Sequence, residues 1–344
     1  MLLISLRYVS VSLAVFVGLL IAACSGPQMQ TYSDIQQPAA WEEASFVMDD
    51  TYRLPYESHS IDRAPERIFI ALHGFNDYHQ AFSDFCAFMQ TRHSLCVAYD
   101  QRGFGDTVQR GIWPGETRLR KDLMAIITLV RSRYPEVPLY VVGESMGGAV
   151  ILTALQTNQD FWRANVQGAV LFAPAVWSRE TQPWYQRWGL ALATTFVPSW
   201  QPTGEGLGVV ASDNVEALRG LGRDPLVIKA TRIDAIYGLN NLMDQAFADS
   251  QNIPIPTLWL YGGNDQLVPL VPTCQVAQRL SSNEGDRHTF SFYFLPEGYH
   301  MLTRDLDRVE NFRLVDTWQR QLTRRQSTRR NDIGVACEPD KANY

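Results

Sequence analysis

The chain has 344 residues, of which 46% are hydrophobic and 19% charged. That is the composition of an ordinary folded protein, and the length suits one α/β domain carrying an insertion without requiring a second core. A net charge of −6, with no basic patch interleaved with aromatics before the tail, argues against a nucleic-acid partner.

Residues 1–23 stand apart. Arg7 gives a positive start, Val9 to Ala23 is almost uninterrupted apolar sequence, and the stretch closes on small residues before Cys24, as an export signal peptide does. Ile21, Ala22, Ala23 and Cys24 resemble a bacterial lipobox, which implies that Cys24 is diacylated and becomes the new N-terminus. Several acyl chains on one residue supply roughly 0.8 kcal/mol per buried CH₂, enough for anchoring without a spanning helix. The alternative is an uncleaved apolar anchor. Either places the globular part in the cell envelope, outside the cytoplasm and held to a membrane. Ser25 after the cysteine, by resemblance to enterobacterial lipoproteins, favours the outer membrane facing the periplasm. Residues 24–40 are polar, have no apolar period and read as a tether.

The main domain is expected over residues 41–325. Two β-prone segments, Ala44 to Met48 and Thr51 to Tyr56, predict an antiparallel edge. From there strands and helices alternate. Arg67 to His73 is a strand, Ala81 to Arg92 a helix, Leu95 to Asp100 a strand, and Thr117 to Tyr134 a long amphipathic helix stopped by Pro135. Leu139 to Val142 leads into GESMGG (Gly143–Gly148), and Ala149 to Gln156 continues as a buried helix. Val166 to Phe172 and Thr257 to Gly262 are strands, Val271 to Leu280 a helix, Thr289 to Leu295 a strand, and Asp307 to about Arg325 the last helix. This alternation predicts a mostly parallel sheet covered on both faces, with active groups at the carboxyl ends of its strands. Residues 173–248 interrupt it with Trp177, Trp184, Tyr185, Trp188, Phe196, Trp200 and Tyr237, broken by prolines and glycines. So long a stretch predicts a small helical cap over that edge. Its aromatics either pack the cap on itself or line an apolar acyl pocket between cap and core. Residues 326–344 read as a polar, irregular tail.

GESMGG places Ser145 between a strand and a helix. A serine exposed in so tight a turn needs small residues two before and two after it, which Gly143 and Gly147 supply. The N–H of Met146 at the helix start then points where negative charge develops in acyl transfer. A nucleophilic serine needs a base, and the base an orienting acid. Of six histidines, His300 in PEGYHMLT lies in a loop between the last strand and the last helix. His288 sits in a charged hairpin, and His59, His79 and His93 flank elements without a partner pattern. Asp265, just past the strand ending in Gly262 and Gly263, is the acid, with Asp286 as competitor in a less suitable loop. HGFND (His73–Asp77) follows a strand end, so the Phe75 N–H is the second oxyanion donor and His73 a turn residue.

HGFND, DQRGFGDT at Asp100–Thr107, GESMGG, GGNDQLVP and EGYHML together resemble the monoacylglycerol lipase and lysophospholipase branch of the α/β-hydrolases, over about Ala44 to Gln321. The resemblance implies the α/β-hydrolase fold with an inserted helical cap, a Ser145, Asp265 and His300 triad, and Phe75 and Met146 as oxyanion donors. It implies a serine hydrolase that cleaves fatty-acid esters, in a lysophospholipid or monoacylglycerol. Glu144 stands where many members carry His, and HGFND lacks the HGxGE pattern of some. The alternatives are an acyltransferase or peptidase on the same fold, or a non-catalytic envelope lipoprotein. No metal-ligand spacing, phosphate loop or dinucleotide fingerprint occurs, so no cofactor or metal is expected, and no obligate protein partner is indicated. The expected partners are the lipid ester and, through the N-terminal lipid anchor, a membrane. Cys86, Cys96, Cys274 and Cys337 allow three connectivities. The pairing expected is Cys86 with Cys96 and Cys274 with Cys337; buried free thiols are the alternative.

Overall fold

The computed structural model describes residues 26–59, 63–206, 208–251, 253–282, 290–324 and 331–337. The export segment, Cys24, Asp286, His288 and most of the C-terminal tail lie outside the described residues.

Strands β1 (Ala40–Trp41), β2 (Ser45–Val47) and β3 (Arg53–His59) pair antiparallel and add to the sheet through β5. Strands β4 (Arg67–Leu72), β5 (Ser94–Tyr99), β6 (Leu139–Glu144), β7 (Gly168–Phe172), β8 (Thr257–Gly262) and β9 (Phe290–Leu295) run parallel. The sheet order is β1-β2-β3-β5-β4-β6-β7-β8-β9. Strands buried on both faces need near-continuous apolar sequence, which RIFIAL, SLCVAY and TLWLYG provide. Because successive side chains point to opposite faces, Ile68, Ile70 and Leu72 enter one core layer and Phe69 and Ala71 the other.

The helices are α1 (Ser83–Gln90), α2 (Glu116–Arg133), α3 (Met146–Leu155), α4 (Gln159–Asn165), α5 (Trp184–Phe196), α6 (Val215–Arg223), α7 (Ile233–Asp249), α8 (Leu270–Ser282), α9 (Arg308–Thr323) and α10 (Ile333–Ala336). One core layer takes Leu123, Ile126 and Val130 of α2, all of α3's larger side chains and Leu280 of α8. The other takes Phe85 and Met89 of α1 with Phe312 and Trp318 of α9. Cys86 of α1 is bonded to Cys96 of β5, and Cys274 of α8 to Cys337 just after α10, the pairing expected.

Three segments differ from the sequence reading. The N-terminal stretch from residue 26 is no free tether. The Gln28 amide donates to Asp234 Oδ2 (3.0 Å), the Gln30 amide to the Trp113 carbonyl (3.1 Å), and the Tyr32 ring lies 5.9 Å from the guanidinium carbons of Arg102 and Arg118. Polar side chains and backbone groups make these contacts, so no apolar period announces them. The tail is not wholly irregular either: Ile333 and Ala336 of α10 are buried, and Asn331 bridges to Phe292 of β9. Within the insertion, α7 is part of the helical layer, burying Leu242, Ala246 and Phe247 against the core; its Gly238 lies so near Trp113 that a Cβ would come within 2.4 Å of the indole.

Candidate active site

The turn from β6 into α3 carries Ser145 at φ +52°, ψ −114°, a strained backbone region for a side-chain-bearing residue. Crowding enforces it. A Cβ on Gly143 would sit 2.5 Å from the Gly147 carbonyl carbon, and one on Gly147 only 2.1 Å from the Leu72 oxygen. The Ser145 amide is held by the Phe172 carbonyl (2.9 Å) and its carbonyl accepts from the amides of Ala149 (3.0 Å) and Ala175 (2.9 Å). All ten residues of α3 are buried, so the helix cannot shift to relax the turn. Met146 is its first residue and its N–H has no intrahelical acceptor. The amides of Phe75 and Met146 donate no backbone hydrogen bond among the described residues, as an oxyanion site requires.

Asp265 and His300 meet across the end of β8. A Cβ on Gly262 would lie 2.4 Å from the Tyr299 carbonyl, so only glycine lets the loop bearing His300 cross the strand end this closely. Asp265 Oδ1 accepts from the amides of Leu267 (2.8 Å) and Val268 (2.9 Å), leaving Oδ2 for His300 Nδ1 at 2.8 Å. This orients the imidazole with Nε2 away from the carboxylate. Burial opposes the charged imidazolium, but Asp265, with Glu144 and Asp305 beyond it, outweighs that and holds His300 above the ordinary histidine pKa. Ser145 and His300 line one cavity of about 500 Å³. Among the described residues no hydrogen bond joins them, a bond that in substrate-free enzymes commonly tightens only on binding.

The structure therefore brings Ser145, Asp265, His300, Phe75 and Met146 to one place. The cavity is walled by Phe75, Trp177, Leu190, Leu239 and Met243, with Asn76, Asp77 and Arg304 at a polar side. Of the aromatics in the insertion, Trp177 alone among those named above lines it. Trp184, Tyr185, Trp188 and Trp200 are 59–71% exposed and none lines the cavity; Trp184 and Tyr185 meet edge to face at 6.2 Å. Trp184, Trp188, Leu192 and Phe196 fall every fourth residue and form one outward stripe on α5.

Three other histidines are engaged. His59 Nε2 lies 3.1 Å from Glu57 Oε1. His73 is buried as a turn residue: its ring contacts the Gly74 carbonyl (2.7 Å) and accepts from the Gln101 amide (2.9 Å), and burial pushes its pKa down. His79, which shows no partner pattern in the sequence, pairs through Nδ1 with Asp100 at 2.7 Å. Asp100 also accepts from the His79 and Asp106 amides, so the pair closes the DQRGFGD loop behind the site.

Glu144, the last residue of β6, is a carboxyl 2% exposed. Burial, only partly offset by Arg304, Thr303 and His300, raises its pKa from 4.5 to about 7. A raised carboxyl pKa means that the folded state binds the proton more tightly, so its contribution is full below pH 4.5 and lost as pH rises through 7. By pH 8 the loss is about 3 kcal/mol. Glu144→Gln is therefore expected to raise the thermal midpoint relative to the parent at pH 8 by a few degrees more than at pH 5. Calorimetry at the two pH values checks this, and an equal difference at both would contradict it.

Residues 63–307 match the family model described as serine aminopeptidase, S33. The monoglyceride lipase of Rattus norvegicus is 24% identical over 261 residues, 74% of this chain and 82% of the relative. The monoacylglycerol lipase of Mycolicibacterium smegmatis is 21% identical, covering 70% and 85%. Among solved structures, the monoacylglycerol lipase of Paleococcus ferrophilus superposes with a TM-score of 0.62 at 19% identity, over 78% of this chain and 99% of that one. A soluble variant of the Saccharomyces cerevisiae monoglyceride lipase, in complex with a substrate analog, gives 0.65 at 16% identity, over 87% and 99%. At these identities the structural matches speak to the fold.

Proposed function

The chain belongs to the serine aminopeptidase S33 family and is an α/β-hydrolase; from that premise we propose that it hydrolyses carboxylic esters of fatty acids, in a monoacylglycerol or lysophospholipid, through an acyl-enzyme on Ser145. The observation that carries this is the Asp265 to His300 hydrogen bond on the wall of the apolar cavity that Ser145 lines. His300 takes the Ser145 proton as Oγ attacks the ester carbonyl, and Asp265 stabilises the imidazolium. The Phe75 and Met146 amides hold the oxyanion until the alcohol leaves with the proton from His300, and water then repeats the sequence on the acyl-enzyme. Relatives named as monoglyceride lipases support an ester over an amide. The family description keeps aminopeptidase activity as the second reading. A panel of long-chain monoacylglycerols, lysophospholipids, short-chain esters and aminoacyl amides separates them: fastest turnover on long-chain esters is expected, and turnover confined to aminoacyl amides would overturn the proposal.

The same reading includes a bacterial envelope location, with Cys24 lipidated and the anchor in a membrane, the outer membrane favoured. The expected result is that metabolic labelling with a clickable fatty acid marks the full chain and not its Cys24→Ser variant; equal labelling would count against it. Only Ser25 to Pro27 separate Cys24 from Gln28, whose amide is fastened to Asp234 at the start of α7, beside Trp200. In this reading so short an anchor would keep the domain at the bilayer, where the exposed tryptophans of α5 would suit the membrane interface. Trp184→Ser/Trp188→Ser in the lipidated chain is expected to lose severalfold in rate on vesicle-borne ester while hydrolysing a short soluble ester normally. Equal rates on vesicles would remove this support.

A further inference from the structure

The loop that carries His300 is fastened at three consecutive residues beyond it. Thr303 Oγ1 donates to Glu144 Oε2 at 2.7 Å, tying the loop to the last residue of the strand that leads into Ser145. The Arg304 guanidinium holds Asp77 with both terminal nitrogens, Nη2 at 3.1 Å, tying it to the oxyanion segment. Asp305 accepts from Ser212 Oγ at 2.6 Å, tying it to the insertion, and from the Tyr299 amide at 2.8 Å. Nucleophile, oxyanion segment and cap thus each grip the base loop within five residues of His300.

The first tie is the costly one. Glu144 is buried, its Oε1 has no hydrogen-bond partner among the described residues, and a smaller neutral acceptor would satisfy Thr303 without burying a carboxyl. Arg304, His300 and Asp77 are the charged or titratable groups that act on it; Asp265, Glu144 and Asp305 act on His300. We propose that Glu144 is a positioning residue for His300: it fastens the base loop to the nucleophile elbow through Thr303, and its charge adds to that of Asp265 in the field around the imidazole. The raised pKa of the carboxyl supports this, since its charge then develops across the pH range in which His300 works.

The inference rests on the acyl-enzyme reading but not on the identity of the ester. Its test is therefore the pH dependence of Ser145 labelling by a fluorophosphonate probe in the full chain, read beside ester hydrolysis. Glu144→Gln keeps an acceptor for Thr303 and removes the charge. Its acid limb is expected to move to lower pH by roughly half a unit to one unit, because His300 loses a nearby negative group. Glu144→Ala and Thr303→Val also release the loop, and their plateau rates are expected to fall roughly 10- to 100-fold, the scale of a misplaced catalytic group. Thr303→Ser restores the plateau. An unmoved acid limb in Glu144→Gln, or parental plateau rates in folded Glu144→Ala and Thr303→Val, overturns the proposal. If Glu144→Ala does not fold, the limb of Glu144→Gln and the Thr303 pair decide. A parent that labels at Ser145 but hydrolyses none of the esters would defeat the substrate reading and leave this test intact.

Discussion

Ser145→Ala is expected to lower ester hydrolysis by roughly 10⁴-fold or more while leaving the thermal midpoint almost unchanged. The size follows from the chemistry: without Oγ no acyl-enzyme forms, and only the oxyanion donors and substrate binding remain to assist water. The unchanged stability follows from the structure. Alanine keeps the Cβ and meets the same φ of +52° as serine, while the three backbone hydrogen bonds that hold the turn do not involve the hydroxyl. Steady-state hydrolysis of a long-chain ester and a thermal melt on the same preparations check both halves. Residual activity near that of the parent would remove Ser145 from the mechanism, and a collapse of the midpoint would show that the hydroxyl serves the fold.

Asp265→Asn is expected to lower kcat by roughly 10³- to 10⁴-fold, again with the fold retained. Asp265 Oδ1 is committed to two amides, so the asparagine carbonyl is drawn to Leu267 and Val268 and its NH₂ is left facing His300 Nδ1. Nδ1 must then accept, which places the ring proton on Nε2, and the nitrogen needed to take the serine proton is already occupied. Kinetics across pH, with imidazole nitrogen shifts by NMR, read both the loss and the tautomer. A variant within tenfold of the parent would mean that another group orients His300.

Much of the site was legible because its parts occupy the ends of strands that read as strands. Apolar runs such as RIFIAL and TLWLYG mark where β4 and β8 stop, and HGFND and the Asp265 segment follow them, while GESMGG starts in the last two residues of β6. The pairing of His79 with Asp100 was not legible, since it depends on β4 and β5 lying side by side and on two loops 21 residues apart meeting beyond them. The α5 stripe misleads for a different reason: aromatic residues at helical spacing ordinarily face a core, and nothing in the local pattern says that these face outward. The packing of residues 28–32 rests on side-chain and backbone polar groups, which leave no periodic trace. Glu144 did carry a signal, an acidic residue at the end of a strand that is otherwise apolar and, in the structure, buried throughout. Its significance needed Thr303, 159 positions away, to become visible.

One serine, poised by His300 and Asp265, is expected to perform ester hydrolysis. Titration with a fluorophosphonate, followed by peptide mass mapping and ester assay of the same samples, checks this. The predicted result is one equivalent of probe on the peptide containing Ser145, with hydrolysis lost in proportion to labelling. Undiminished hydrolysis at full labelling of Ser145, or inactivation with the adduct on another residue, would contradict it.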